Sequence, residues 1–251
     1  TFFLKGIEFG KEMNYTENIN VDDGVAELVL HNMLQDTYRV TATYNGDDTH
    51  FPADSQGDYL LIVYQRDSNI TITVNDTLQG QDVIAYITTN ATFGNVSVTF
   101  NEVTEILNLS ADGKATWNLT REFGELAAGS YTIDGYYVEN EYYKNSVAKD
   151  TFEVIEYVVK VEVNETEFNQ SATIRVTISP ALAQGATPTV TLDGTTPLAL
   201  TPVAPGVFET TTEKLTVIGE HTIDVNYPGN SSSTPAFPER NVTKAFNVTK
   251  G

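Results

Sequence analysis

Twelve asparagines stand in the sequon Asn-x-Ser/Thr, and this is the strongest chemical signal in the chain. Asparagine in this setting accepts N-linked glycans when a protein meets the glycosylation machinery outside the cytoplasm. Twelve of the twenty asparagines carry the motif, about three times the number expected from composition. The candidate glycosylation sites are Asn14, Asn69, Asn75, Asn90, Asn95, Asn108, Asn118, Asn164, Asn169, Asn230, Asn241 and Asn247.

The sequence also predicts which way several of these asparagines point. Asn69 and Asn75 alternate with apolar residues at 70, 72 and 74. Asn95, Asn118 and Asn247 stand next to apolar residues in the same way. Successive side chains of a strand point to opposite faces, so we expect these five amides to face solvent.

Residues for other chemistry are present but do not form a catalytic pattern. His31, His50 and His221 lack the spacing of metal ligands, and the chain has no cysteine. Neither a Gly-x-Ser-x-Gly elbow nor a phosphate-binding glycine loop occurs. The carboxylates are scattered over predicted loops and outer faces, which does not favour a glycosidase pair. We therefore predict a protein that is not an enzyme.

Acidic pairs at Asp22-Asp23 and Asp47-Asp48 could supply oxygen ligands for Ca²⁺. Asp67 and the acidic residues from Glu153 to Glu156 stand near the ends of the repeats described below, where an ion could also bind. No Asp-x-Asp-x-Asp register is present, and solvated turn acids need no ion. The sequence therefore predicts no cofactor, with Ca²⁺ as the alternative.

Tyrosines are concentrated in one stretch, where Tyr136, Tyr142 and Tyr143 are candidate ligand contacts. Exposed tyrosines suit stacking on a sugar or binding a protein partner. The alternative is that their rings pack on a neighbouring part of the chain or cover a sheet edge.

The elements that must position these residues recur three times, with a period of about 90 residues. The central anchor is a strand that begins at Tyr38, Tyr131 or His221 and ends at Tyr44, Tyr137 or Tyr227. A turn anchor lies upstream of it, at Asp23-Gly24, Asp112-Gly113 and Pro205-Gly206, and a further strand lies downstream. Alternation of apolar and polar residues predicts inward columns on the central strands, namely Tyr38, Val40, Ala42, Tyr44; Tyr131, Ile133, Gly135, Tyr137; and His221, Ile223, Val225, Tyr227.

This pattern predicts an all-β chain of tandem immunoglobulin-like β-sandwich domains. The predicted domains are residues 1–67, 68–156 and 157–251, hereafter the first, middle and third repeats. In the middle repeat we expect strands near 69–75, 82–88, 95–101, 105–110, 114–119, 130–138 and 150–156. Only residues 181–185 have a helical pattern.

The first repeat is expected to be incomplete. Residues 2–4 align with residues 98–100, the third strand of the middle repeat, so two leading strands have no counterpart. Two explanations stay open: the strands lie upstream in a longer protein, or another chain supplies them by strand addition.

Tyrosine at the start of the central strand indicates a tyrosine corner, in which the hydroxyl bonds to the backbone a few residues upstream. This applies to Tyr38 and Tyr131, with a half-buried strand aromatic as the alternative. His221 occupies the same slot in the third repeat and is predicted to be a structural substitute rather than a catalyst or a pH switch.

Charge excludes several classes of partner. The chain of 251 residues carries 34 acidic and 14 basic side chains, a formal net charge of −20. Binding nucleic acid requires clustered Lys and Arg, and so does docking on anionic lipid, so neither partner is expected. No apolar stretch is long enough to span a bilayer, so we predict no membrane insertion.

The segment Thr37-Tyr38-Arg39-Val40-Thr41-Ala42-Thr43-Tyr44-Asn45-Gly46-Asp47, followed by a terminal Phe/Leu-x-Val strand, resembles the Ig-like repeats of adhesin-like surface proteins. Such repeats are best represented in methanogenic archaea and also occur in bacterial surface proteins. The resemblance covers all three repeats and is loosened in the second and third. It implies a cell-surface stalk or adhesin, and it indicates no particular ligand.

Together these features predict an extracellular, glycosylated segment of a cell-surface stalk or adhesin. Expected partners are glycans or proteins on a neighbouring cell, or identical chains. Two alternatives remain: a carbohydrate-binding β-sandwich module, and a surface-layer or filament subunit that assembles by strand exchange.

Overall fold

The structure, a computed structural model, describes residues 1–9, 14–57 and 59–251, the side chains of residues 14 and 15 excepted. Strands dominate the described residues, which include one five-residue helix and one 3-10 turn. The all-β prediction is therefore confirmed. Neither helical segment of this described part has the length or apolar character needed to cross a membrane.

The first repeat forms one five-stranded antiparallel sheet. Its strands are β1 (Phe2–Gly6), β2 (Asn14–Glu17), β3 (Asp36–Tyr44), β4 (Ala53–Asp54) and β5 (Tyr59–Val63). β1 lies between β2 and β3, and both β4 and β5 pair with β3. The described residues of this repeat form no second sheet. The first sandwich is thus incomplete, as the alignment of residues 2–4 predicts.

The middle repeat contributes two sheets and one helix. Its elements are β6 (Ile70–Val74), β7 (Thr77–Leu78), β8 (Ile84–Thr89), β9 (Asn95–Phe100), β10 (Val103–Asn108), β11 (Lys114–Asn118), α1 (Leu119–Phe123), β12 (Gly129–Tyr137) and β13 (Ser146–Ile155). One sheet has the order β11-β8-β6 and the other β10-β9-β12-β13-β7. All seven predicted strands are present, while β7 and α1 were not predicted.

The third repeat also contributes two sheets. Its elements are β14 (Val158–Val163), β15 (Thr166–Glu167), β16 (Thr173–Ser179), the 3-10 turn η1 (Ala181–Ala183), β17 (Thr189–Leu192), β18 (Thr196–Leu198), β19 (Thr201–Ala204), β20 (Val207–Thr211), β21 (Gly219–Tyr227) and β22 (Arg240–Thr249). The sheet orders are β14-β16-β20-β19 and β15-β22-β21-β17-β18. Strands 1, 2, 5 and 4 of an immunoglobulin sandwich make one such sheet, and strands 7, 6 and 3 make the other, so this order identifies the fold.

The described chain is organised into two compact units. One contains residues Thr1–Ile72, Ile87–Ala115 and Asp134–Lys149; the other contains Thr73–Tyr86, Thr116–Ile133 and Asp150–Gly251. The division into domains at residues 67/68 and 156/157 therefore stays a prediction. In the second unit, Leu78 and Ile155 join an apolar cluster that includes the buried Tyr157, Ile174 and Ile223.

The tyrosine corner is confirmed at both predicted positions. The Tyr38 hydroxyl donates to the Leu34 carbonyl at 2.9 Å, and the Tyr131 hydroxyl donates to the Ala127 carbonyl at 2.9 Å. Tyr38 has no exposed surface, whereas Tyr131 is half-buried. In both cases the side chain fixes the backbone four residues before the tyrosine, two residues before the central strand begins.

We predict that Tyr38→Phe destabilises the first repeat by about 1–2 kcal/mol, because it leaves a buried carbonyl without its donor. Tyr131→Phe is the matched control and should cost under about 1 kcal/mol, since water can reach the Ala127 carbonyl. Differential scanning calorimetry of the full chain measures both. Equal losses for the two variants would contradict this account.

Candidate functional site

The inner face of the first sheet is an apolar surface that no second sheet covers. Tyr38 is buried, but Val40, Ala42 and Tyr44, which follow it along the inward column, keep part of their surface exposed. In the middle repeat the corresponding Ile133 and Tyr137 have no exposed surface. The same holds for Ile223 and Tyr227 in the third repeat. The inward column of the central strand is therefore covered in the middle and third repeats and partly exposed in the first.

Two clefts follow this open face. The first, of about 620 Å³, is lined by Leu4, Val40 and Val63 of the sheet and by Leu28 and Leu30 opposite them. The second, of about 420 Å³, continues past Phe2, Ala42 and Tyr44. Both are lined by Phe2 and Ala26, so they lie end to end along the position of the absent layer.

Residues 26–30 form the wall of the first cleft opposite the sheet. Ala26, Leu28 and Leu30 are half-buried, while Val25 and Val29 are exposed by 64% and 62%. This alternation is that of a strand. Among the described residues, however, no backbone hydrogen bond involves residues 26–30. Sequence reasoning did not identify this segment, although the aligned glycines at 24, 113 and 206 mark it as the counterpart of β11 and β20.

Tyr44 lies at the far end of the open face and bonds to a local carboxylate. Its hydroxyl donates to Asp47 Oδ2 at 2.5 Å, which raises the pKa of Tyr44. Asp47 also accepts hydrogen bonds from the Thr49 hydroxyl and backbone amide and contacts His50. The Tyr44 hydroxyl, followed by these donors, holds the pKa of Asp47 well below its usual value. The Asp47 carboxylate is thus fully engaged by its own turn.

The carboxylates considered for Ca²⁺ do not come together in the described residues. No group of three or more His, Asp or Glu side chains there is placed to hold a metal ion. Asp67 pairs with Lys144 at 2.8 Å.

The aromatic stretch of the middle repeat is largely packed. Tyr143 is exposed by only 5%, so the packing alternative applies to it. Its ring packs edge-on against Phe93 and Tyr137, which leaves no free face for a sugar. Tyr142 also packs edge-on against Phe93, while Tyr136 is exposed by 38%.

The same stretch holds the connector after β5. The Arg66 amide donates to the Tyr142 carbonyl at 2.7 Å, and the Lys144 amide donates to the Arg66 carbonyl at 2.9 Å. Gln65 Nε2 donates to the Asn140 carbonyl at 2.6 Å. These bonds tie residues 65–67 to the loop before β13, which explains the packing of its tyrosines.

The sequon asparagines differ in how far their side chains are exposed. Of the five predicted to face solvent, Asn69, Asn75, Asn95 and Asn247 are exposed, as expected. Asn118 is half-buried, because it ends β11 and caps α1, its Oδ1 accepting from the Arg121 amide at 2.8 Å. The sequon asparagines exposed in addition are Asn90, Asn108, Asn164, Asn169 and Asn241. The side chain of Asn14 lies outside the described residues.

Asn230 differs from the exposed sequon asparagines. It is half-buried, and its Nδ2 donates to both the Leu182 and the Gln184 carbonyls, at 2.9 and 2.8 Å. Nδ2 is the atom that carries a glycan and keeps only one proton after modification, so modification would break at least one of these two bonds. Asn90 Nδ2 makes one such bond, to the Asp67 carbonyl.

His221 takes the tyrosine-corner slot with two hydrogen bonds. Its Nε2 lies 2.9 Å from the Val217 carbonyl, and its Nδ1 lies 2.7 Å from Asp193 Oδ2. The Val217 carbonyl and Asp193 together raise the pKa of His221 above its ordinary value, against the effect of burial. Burial alone would raise the pKa of Asp193, but hydrogen bonds from the Thr222 amide and His221 hold it below its usual value. These contacts agree with the prediction that His221 is a structural substitute for the corner tyrosine.

Comparison with known proteins gives no family. No family model matches the chain, and no curated protein matches it. Among solved structures, an adhesin with which an Antarctic bacterium binds ice is 14% identical at a TM-score of 0.41. That alignment covers all of this chain and 65% of the adhesin structure.

Two further structures are similar to the same degree. The Escherichia coli adhesin FdeC is 12% identical at a TM-score of 0.39, with 85% of this chain and 74% of that one covered. The N-terminal eight Ig domains of Down Syndrome Cell Adhesion Molecule are 12% identical at 0.34, with 98% and 31% covered. Scores and identities this low carry no argument about this chain, and its fold is assigned from its own strand order.

We predict that the third repeat loses stability as pH rises from 6 to 8.5. A raised folded-state pKa means that the imidazolium stabilises the fold below the unfolded pKa of about 6.5. This contribution disappears as pH rises through the folded pKa, while Asp193 stays ionised throughout.

His221→Tyr supplies the control, because a tyrosine hydroxyl can donate to the Val217 carbonyl without titrating in this range. Melting temperatures across the pH series measure the effect. An equal slope for wild type and His221→Tyr would show that another group is responsible.

Proposed function

We propose that this chain is a segment of an extracellular, glycosylated stalk or adhesin built from three immunoglobulin-like domains, residues 1–67, 68–156 and 157–251. Its role is mechanical and adhesive rather than catalytic. The resemblance of residues 37–47 to the adhesin-like repeats of methanogenic archaea belongs to this proposal. The expected partners are glycans or proteins of a neighbouring cell, or identical chains.

The exposure of the sequons is the observation that carries the proposal. Nine of the twelve sequon asparagines are exposed, and in eight of them Nδ2 donates to no other described residue. Each exposed sequon presents to solvent the amide nitrogen to which a glycan would be attached. The folded chain is therefore compatible with glycans at these positions. The formal net charge of −20 and the absence of cysteine are both compatible with this role.

The hydrogen-bonded connector supports a load-bearing role. Residues 65–67 are fixed by backbone bonds to Tyr142 and Lys144, with Arg66 lying 6.0 Å from the centre of the Tyr143 ring. In the other compact unit, the Tyr157 hydroxyl donates to the Pro238 carbonyl at 2.8 Å, and Arg240 lies 4.7 Å from the Tyr157 ring. The first set of bonds joins residues 65–67 to the middle repeat, whereas the second lies within the third repeat and fixes its first residue, Tyr157.

The carbohydrate-binding alternative receives less support. Of the three tyrosines proposed to contact a sugar, Tyr136 is exposed, whereas Tyr142 and Tyr143 pack on Phe93. A single exposed ring offers little stacking area.

Site-resolved mass spectrometry of the protein from its native host tests the glycan proposal. We expect modification at most of the exposed sequons, namely Asn69, Asn75, Asn95, Asn108, Asn164, Asn169, Asn241 and Asn247. Asn230 is the internal control and should be unmodified, because both protons of its Nδ2 are used. Native protein without any glycan would refute the glycosylated part of the proposal.

A further inference from the structure

We propose that Asn95 and Asn108 form one shared modification site, at which a single N-linked glycan covers the free edge of strand β10. The occupant of this edge is thus the chain's own oligosaccharide, attached at one asparagine or the other. The inference rests on the glycosylation proposed above, and it adds the stoichiometry and the role of one particular site.

The two asparagines stand directly opposite each other on neighbouring strands. β9 and β10 are antiparallel, and their register pairs Asn95 with Asn108. Opposite residues of an antiparallel pair point to the same face of the sheet, and both of these side chains are exposed. Both residues begin sequons, Asn95-Val-Ser97 and Asn108-Leu-Ser110. The fold therefore brings together two acceptor amides from different strands.

This pair belongs to the closer of the two kinds of residue pair in an antiparallel ladder. The Leu109 amide donates to the Gly94 carbonyl at 3.1 Å, so these two residues form a hydrogen-bonded pair. Hydrogen-bonded pairs alternate with non-hydrogen-bonded pairs, whose Cα atoms lie only about 4.5 Å apart. Asn95 and Asn108 come next in the ladder and are therefore a non-hydrogen-bonded pair.

Thr99 and Thr104 show this closeness directly, since they form a pair of the same kind nearer the hairpin turn. Their side-chain oxygens lie 2.8 Å apart and share a hydrogen bond. A pyranose ring with its hydroxyl groups is wider than the space between such side chains. A glycan on either asparagine therefore covers the amide nitrogen of the other, and the folded hairpin holds one glycan at this pair.

β10 is the outermost strand of its sheet and has an open backbone edge. The sheet order β10-β9-β12-β13-β7 leaves one side of β10 without a partner in the described part of the chain. Thr104, Ile106 and Asn108 form non-hydrogen-bonded pairs with β9, so their amides and carbonyls point to this open side. Ile106 is also exposed by 61%. A six-residue edge with an exposed apolar side chain is a template for pairing with another chain.

The usual means of blocking an edge strand are absent from β10. Its sequence, Val103–Asn108, contains neither lysine nor proline, and its register with β9 continues without a bulge. Its single charged side chain, Glu105, is paired with the buried Val98 and so lies on the opposite face from Asn108. The sequon asparagines are the feature of this hairpin that can block its edge.

The counterpart edge strands of the other repeats support this interpretation. In the third repeat β18 takes the position of β10, at the end of the order β18-β17-β21-β22-β15. It is only three residues long and contains Pro197, which has no amide proton to offer another strand. In the first repeat β2 takes this position, and it begins at Asn14, which also stands in a sequon. A sequon thus occurs on the edge strand in the two repeats whose edge strand lacks a proline.

A glycan at either asparagine reaches the same part of the edge. Ile106 lies two residues before Asn108 on the same face, and it is the diagonal neighbour of Asn95 across the strands. Diagonal neighbours lie about 7–8 Å apart, within reach of a long substituent. The first sugar residues therefore cover Ile106 and stand in the path of an incoming strand. Two acceptors at one place also keep the edge covered when one of them is left unmodified.

Tandem mass spectrometry of the folded protein from its native host measures the stoichiometry. Trypsin cleaves after Arg66 and Lys114 and at no residue between them, so one peptide carries both asparagines. We expect peptides with a glycan at Asn95 or at Asn108, and at least tenfold fewer with both than independent modification would give.

Asn164 and Asn169 are the matched control pair for this measurement. Both are exposed, and both lie on the tryptic peptide of residues 161–175. They belong to one segment of the chain and do not face each other across a ladder. Double modification of this peptide should therefore show no such deficit.

Sedimentation velocity tests whether the glycan covers the edge. Asn95→Gln/Asn108→Gln should form oligomers that the native glycoprotein does not form, whereas either single variant and the control Asn164→Gln/Asn169→Gln should not. Adding Ile106→Pro to the Asn95→Gln/Asn108→Gln variant should remove these oligomers, since proline takes away an edge amide without disturbing the ladder with β9. Adding Ile106→Ala keeps that amide and should leave the oligomers in place.

Four results would overturn the inference and leave the glycosylated stalk standing. They are double modification in the amount expected for independent sites, glycans at Asn69 and Asn164 with none at Asn95 and Asn108, an Asn95→Gln/Asn108→Gln variant that forms no new oligomers, and removal of the oligomers by Ile106→Ala. The last result would assign the association to an apolar contact instead of the strand edge. Native protein without any glycan would refute the proposed glycosylation, and this inference with it.

Discussion

A β-sheet with one apolar face is stable in water only when a second layer removes that face from solvent. The middle and third repeats satisfy this constraint, and their central strands bury Ile133, Tyr137, Ile223 and Tyr227 completely. The first repeat has the same sheet, turn and tyrosine corner without the covering layer. Its sequence is thus that of a sandwich component, and its exposed face reflects the lack of two leading strands among the described residues rather than a different fold.

Much of this architecture could be predicted because the signals are local. Alternation of apolar and polar residues determines which side chains of β6, β12 and β21 face inward, since neighbouring strand residues point to opposite faces. Turn glycines with positive φ, Gly113 and Gly206, directly precede strands β11 and β20. The tyrosine corner needs only a Tyr and a carbonyl four residues earlier, so Tyr38 and Tyr131 could be identified from their position alone.

Features that depend on residues distant in sequence could not be predicted. Tyr143 is buried because Phe93 lies beside it and the connector at Arg66 is bound to its loop. Asn118 belongs to a sequon, yet it caps a short helix that buries Leu119. Whether the amide of Asn230 is free depends on carbonyls 46 and 48 residues away. The candidate site itself is visible only when three aligned turns are compared in space.

Residue-resolved hydrogen exchange of the free chain tests most directly whether the first repeat lacks its second layer. The account predicts fast exchange for the amides of residues 26–30, because no strand pairs with them. The aligned amides of β11 and β20 should be protected by their ladders with β8 and β16. Protection of residues 26–30 equal to that of β11 and β20 in a monomeric, unliganded chain would contradict the account.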